Sequence, residues 1–152
     1  MKPTDQQSIV AQFEARFPQL SRELGPANLQ MLLGDASVQE VAPQRTLIRD
    51  RMPVESIYFV LDGALGVHVE QDGQSKRIAA VGPGEWIGEM SVLSGEFLAS
   101  ATIITESPCT LLKVHHMLFE KLVTENEAVA KVLLDHFIAL MAQRLRAQQA
   151  RG

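Results

Sequence analysis

Three zones of different hydrophobic period follow one another along the chain. In the first, Ile9, Phe13 and Phe17 recur at four-residue spacing, the stripe that one face of an amphipathic helix produces. Pro18 predicts the end of that helix, because the residue before a proline avoids helical geometry. A second short helix is expected from Pro26, which suits a first-turn position. Leu29, Leu32 and Leu33 give its apolar face and Gly34 its stop.

From about residue 36 to 114 the period falls to two. Ile57, Phe59 and Leu61 alternate with Tyr58 and Val60, so this strand is expected to be buried on both faces. Asp62-Gly63 signals a turn. Beyond it Leu65, Val67 and Val69 share one strand face, with His68 and Glu70 on the other. Asp72-Gly73 signals the next turn, residues 77–81 the next strand, and Gly82-Pro83-Gly84 breaks it. Segments 101–105 and 110–114 complete the set. Short strands separated by such turns predict an antiparallel barrel or jelly roll.

The third zone is helical again. After a short segment at 117–122, Thr124 stands three residues before Glu127, at capping-box spacing. Val129, Val132, Leu133, Phe137, Leu140, Met141 and Leu145 then trace an apolar stripe. A helix over 125–148 would be on the order of 36 Å long at ~1.5 Å per residue. One small barrel needs less cover than that, so a homodimer through this helix, or an effector protein docked on it, is expected. The chain therefore reads as one α+β, mainly β, domain. N-terminal helices cover 1–34, an eight-stranded antiparallel double-stranded β-helix or jelly-roll core covers 35–115, and a short helix plus a long C-terminal helix cover 116–152.

Charge narrows the function. A formal net charge of −4 argues against binding a polyanion over a broad surface. Arg144, Arg146 and Arg151 read as a solvated helix end whose cations complement the dipole. No apolar run approaches the ~20 residues of a membrane-spanning helix, and the polar N-terminus lacks a signal core. A cytoplasmic location away from membranes is expected. The single cysteine, Cys109, lies in an apolar stretch and reads as a buried thiol.

Two stretches carry a family resemblance. SIYFVLDGALGV at 56–67 resembles the strand–glycine–strand signature of the cyclic nucleotide-binding domain family, the β-roll of catabolite activators and protein kinase A regulatory subunits. IAAVGPGEWIGEMSVL at 78–93 is similar to the glycine-rich approach to that family's phosphate-binding cassette. The order of helices, β-roll and helices fits as well, over roughly residues 25–145. Cyclic AMP or cyclic GMP is then the implied ligand, and no cofactor is implied.

The resemblance assigns roles. A glutamate at the place of Glu89 accepts a hydrogen bond from the ribose 2′-hydroxyl. Backbone amides opening a short helix, here about 90–93 and starting with Met90 and Ser91, cradle the phosphate. Gly88 lets the chain approach closely. The family then uses an arginine about ten positions on, followed by two small residues. Anchoring on Ser100 and Ala101 puts that place at Ala99, so the arginine is absent. Hydrogen bonds to charged groups contribute ~1.5–3 kcal/mol each, so losing two weakens binding by roughly two orders of magnitude or more. Two other departures, Gln44 for a frequent glycine and Arg51-Met52 for a usual Gly-Asp, are expected to lie far from the phosphate. Leu133, His136 and Phe137 on the last helix are candidates to close over the purine.

Plainer readings stand beside these. Glu89 also fits a first-turn helix carboxylate, Ser100 a half-buried strand hydroxyl, and Trp86 a core or rim residue. His115 and His116 are adjacent, so on a strand end they are expected on opposite sides. His68 and Glu70 faintly resemble a cupin metal strand, but no third ligand is suitably spaced. Ser94-Gly95 lacks a nucleophile-elbow context. The expectation is a sensor rather than an enzyme, without a metal, signalling by movement of its C-terminal helix. A non-binding β-roll scaffold is the alternative, and a cupin-like metalloenzyme the third reading. Family members that regulate genes carry a helix-turn-helix after this helix. Only about seven residues follow Leu145, so direct DNA binding is not expected.

Overall fold

The computed structural model describes residues 6–34, 36–88, 99 and 101–151. Helix α1 (Gln6–Arg16) ends ahead of Pro18, as the proline dictates. Pro18 itself opens α2 (Pro18–Gly34), which Gly25 (φ 83°, ψ 162°) breaks in two, with Pro26 starting the second half. Leu20 and Leu24 in the first half are buried, extending the helical cover beyond the stretch expected from Pro26.

Among the described residues eight strands follow: β1 (Ser37–Val41), β2 (Thr46–Ile48), β3 (Ser56–Asp62), β4 (Leu65–Gln71), β5 (Gln74–Val81), β6 (Trp86–Ile87), β7 (Thr102–Thr105) and β8 (Cys109–His115). They form two four-stranded antiparallel sheets, ordered β1-β8-β3-β6 and β2-β7-β4-β5. This is the expected double-stranded roll. Its strands are short because turns and bulges interrupt the pairing, as closed all-β architectures require.

In the first sheet, β3 is buried on both faces, one toward the other sheet and one toward α1. Phe59 joins them: its ring meets Phe13 and Phe17 edge-on at 5.3 Å each and Trp86 at 4.9 Å. Trp86 is therefore a core residue, 3% exposed. Arg16 extends the docking, donating from Nε to the Leu61 carbonyl at 2.8 Å. The second sheet is less covered. Val67, His68 and Val69 on β4 and Ile78 and Ala79 on β5 are only half-buried.

One bulge type occurs three times among the described residues. A residue with positive φ donates its amide to the carbonyl opposite, and the next residue's carbonyl accepts the opposite amide. Gln44 (φ 65°) and Arg45 do this opposite Thr105, at 2.7 and 2.9 Å. Arg51 (φ 66°) and Met52 do it opposite Ala99, at 2.9 and 3.0 Å. Gly84 (φ 88°) and Glu85 do it opposite Val60, at 3.0 and 2.9 Å. The first two flank β2 and hold it against β7.

The C-terminal helices are α3 (His116–Glu125) and α4 (Glu127–Arg151). Thr124 is not the cap of the long helix, because it is still inside α3. Asn126 takes that role: its Oδ1 accepts from the Val129 amide at 3.2 Å, and its Nδ2 donates to Asn28 Oδ1 on α2 at 3.2 Å. His115 caps α3, its Nδ1 accepting from the Met117 amide at 3.2 Å. The His115 and His116 rings lie 4.5 Å apart rather than on opposite sides, because strand alternation stops where α3 begins. A second tie joins α4 to α2, with His136 Nε2 3.0 Å from Glu23 Oε1. No helix among the described residues is long and apolar enough to cross a membrane.

Candidate ligand-binding site

Gly88, directly after β6, has φ +88°, and a Cβ there would sit 2.6 Å from the Ser56 carbonyl oxygen and 3.3 Å from Val54 Cγ1. Only glycine fits, both for its backbone angle and for that contact. The chain thus enters segment 89–98 pressed flat against the start of β3. Ser56 beneath it is buried, and its hydroxyl has no hydrogen-bond partner among the described residues.

Ala99 marks the exit. It is 6% exposed and forms the bulge with Arg51 and Met52. Asp50 donates its amide to Thr102 Oγ1 at 3.0 Å, and Met52 donates to the Arg49 carbonyl at 3.0 Å, closing the turn. Residues 49–52 are therefore lashed to 99–102. Arg51 and Met52, expected to lie far from the phosphate, both bond directly to Ala99, the position expected to hold the phosphate arginine. Antiparallel pairing of a loop with a segment about fifty positions later was invisible to a count along the chain.

Met52 and Ala99, the positions at which the sequence resemblance implies an aspartate and an arginine, are one backbone hydrogen bond apart. The exposed Arg51 holds the positive-φ position of that bulge.

Of the other expected site residues, Ala101 is half-buried just ahead of β7. Leu133 is 1% exposed within the core, and His136 is engaged by Glu23. Glu89, Met90, Ser91 and Ser100 lie outside the described residues, as does the side chain of Phe137 on α4. Met52, Ser56 and Thr102 were missed by sequence reasoning. Methionine at the place of a usual aspartate was the signal available for the first.

Elsewhere, burial pushes the Cys109 thiol upward from its ordinary value, and the thiol donates to the Ala64 and Ser107 carbonyls at 3.5 and 3.3 Å. It is an inert packing group. Among the described residues no three His, Cys, Asp or Glu side chains converge on a point that would hold a metal.

The model of the cyclic nucleotide-binding domain family matches residues 38–126. The chain belongs to that family. It is 26% identical over 119 residues to the cAMP-activated global transcriptional regulator CRP of Pasteurella multocida, covering 78% of this chain and 55% of that protein. Against a cyclic nucleotide-gated potassium channel of Mesorhizobium japonicum it is 27% identical over 113 residues, 74% of this chain and 30% of the channel. It thus spans about half the length of the first relative and less than a third of the second. Among solved structures, the regulatory domain of Toxoplasma gondii PKA with cAMP aligns at TM-score 0.70 and 25% identity, over 76% of this chain and 44% of that one. A cyclic nucleotide-binding domain from Methylobacillus flagellatus aligns at TM-score 0.82 and 20% identity, covering 93% and 83%, a likeness of fold.

Proposed function

We propose that this chain is a regulatory module that binds a cyclic nucleotide, cAMP or cGMP, weakly and reports occupancy through α4. It carries out no chemistry of its own, and a cytoplasmic location goes with that reading. The observation that carries it is Gly88. A cassette needs its chain held close to β3, and the contact with the Ser56 carbonyl at 2.6 Å from a Cβ position reserves that approach for glycine. Weakness follows from Ala99, which offers the phosphate no guanidinium.

Output through α4 has a physical route. This helix is tied to α2 by His136–Glu23 and Asn126–Asn28. A ligand with different affinity for two arrangements of these helices shifts their populations. Hydrogen exchange along α4 tests this: millimolar cAMP or cGMP should change protection of its amides, and identical exchange with and without both nucleotides would overturn it.

Leu134 and Ile138, 52% and 55% exposed, lie one turn apart on α4 and support a homodimer through this helix or an effector protein seated there. Sedimentation at tens of micromolar tests the dimer, and a monomer unchanged by ligand would contradict it. A second reading, the non-binding scaffold, is favoured by Ala99 itself.

A further inference from the structure

We infer that Arg51 supplies the positive charge for the ligand's phosphate from the β2–β3 turn, in place of the arginine missing at position 99. The inference rests on the cyclic-nucleotide reading above and adds the residue that would hold the anion.

Placement comes first. The Arg51 amide donates to the Ala99 carbonyl at 2.9 Å, so the backbones at these two positions are direct neighbours. Paired strands lie about 4.8 Å apart, less than an arginine side chain spans. The surroundings of position 99 are therefore within the length of a side chain rooted at 51. The turn is also fixed: Asp50 is bonded to Thr102 Oγ1, and Met52 bonds both Arg49 and Ala99.

Charge gives the second argument. The places at which the resemblance implies an aspartate and an arginine, 52 and 99, are bonded through their backbones. Here both are neutral, and the added cation is Arg51. Its side chain is exposed and has no ion-pair partner among the described residues. The anion of a ligand would thus meet an uncompensated guanidinium, which binds phosphate bidentately.

Backbone gives the third. Arg51 has φ 66°, a left-handed conformation that glycine adopts freely and arginine only under constraint. Gln44 occupies the matching bulge at the other end of β2 with φ 65° and carries no charge, so it is the natural control.

The test is calorimetric titration of the full chain with cAMP and cGMP. Arg51→Gly retains the bulge and should weaken binding roughly 10-fold or more, the loss of a charge-assisted contact. Gln44→Gly should leave affinity unchanged, Arg51→Lys should retain part of it, and Ala99→Arg added to Arg51→Gly should recover it. Wild-type affinity in Arg51→Gly overturns this inference and leaves the cyclic-nucleotide reading standing. If wild-type protein takes up neither nucleotide at millimolar concentration, both fall.

Discussion

The amide of Ala99 donates to the carbonyl of Met52 at 3.0 Å, joining the exit of the cassette to the turn between β2 and β3. Two positions far apart in sequence thereby share one bulge.

Gln44 and Arg51 hold left-handed backbone without being glycine. A side chain in that region costs ~1–2 kcal/mol, against the ~0.5–1 kcal/mol of extra chain entropy that glycine loses on folding. Gln44→Gly should therefore raise stability by about 0.5–1 kcal/mol in urea unfolding. A loss of stability would mean that the Gln44 side chain makes a compensating contact.

Gly88→Ala should do the opposite. Strain at φ +88° and collision with the Ser56 carbonyl, a backbone atom that cannot swing aside, should lower stability by about 1–3 kcal/mol. Binding of cAMP should be lost with it, as the segment entering the cassette is pushed off β3. An unchanged urea midpoint would show that the close approach is not required.

Asn126 has two duties, capping α4 and bridging to Asn28. Asn126→Ala should cost about 1 kcal/mol, the ordinary penalty for a lost cap. Thr124→Ala should cost much less, since Thr124 lies inside α3. Equal effects in thermal unfolding would contradict the assignment of the cap.

Much of this fold was legible in the sequence, and the failures have physical causes. The run Ile57–Phe59–Leu61 with Tyr58 and Val60 announced a strand covered on both sides, and β3 is that strand. Trp86-Ile87 is too short to display any period, so β6 went unseen. The capping-box spacing at Thr124 was matched by chance, whereas a lone asparagine two residues on made the real cap. The bulges were hidden because their usual marker, glycine, is replaced at 44 and 51. At the site, Gly88 was legible from its motif, while the contact of Ala99 with the 49–52 turn depends on pairing across the sheet.

The clasp between α2 and α4 gives a pH dependence. Hydrogen bonds from Gln19 first and from His136 second hold the Glu23 carboxyl below its ordinary 4.5, with desolvation and, less, Asp135 opposing. A carboxyl depressed on folding adds stability above its unfolded value, and that stability is lost as pH falls through the lower, folded value. Melting temperature followed from pH 6 down to 3 should therefore decline less in Glu23→Gln than in wild type below about 4.5. Parallel curves would mean that the clasp contributes nothing.

The most direct measurement is calorimetric titration of wild-type protein and Ala99→Arg with cAMP and cGMP. Weak binding by the wild type, with roughly 10- to 100-fold tighter binding by the variant, is the predicted result, each factor of ten being ~1.4 kcal/mol of restored charge-assisted contact. No heat from either protein at millimolar nucleotide would contradict the account and leave a β-roll scaffold in place of a sensor.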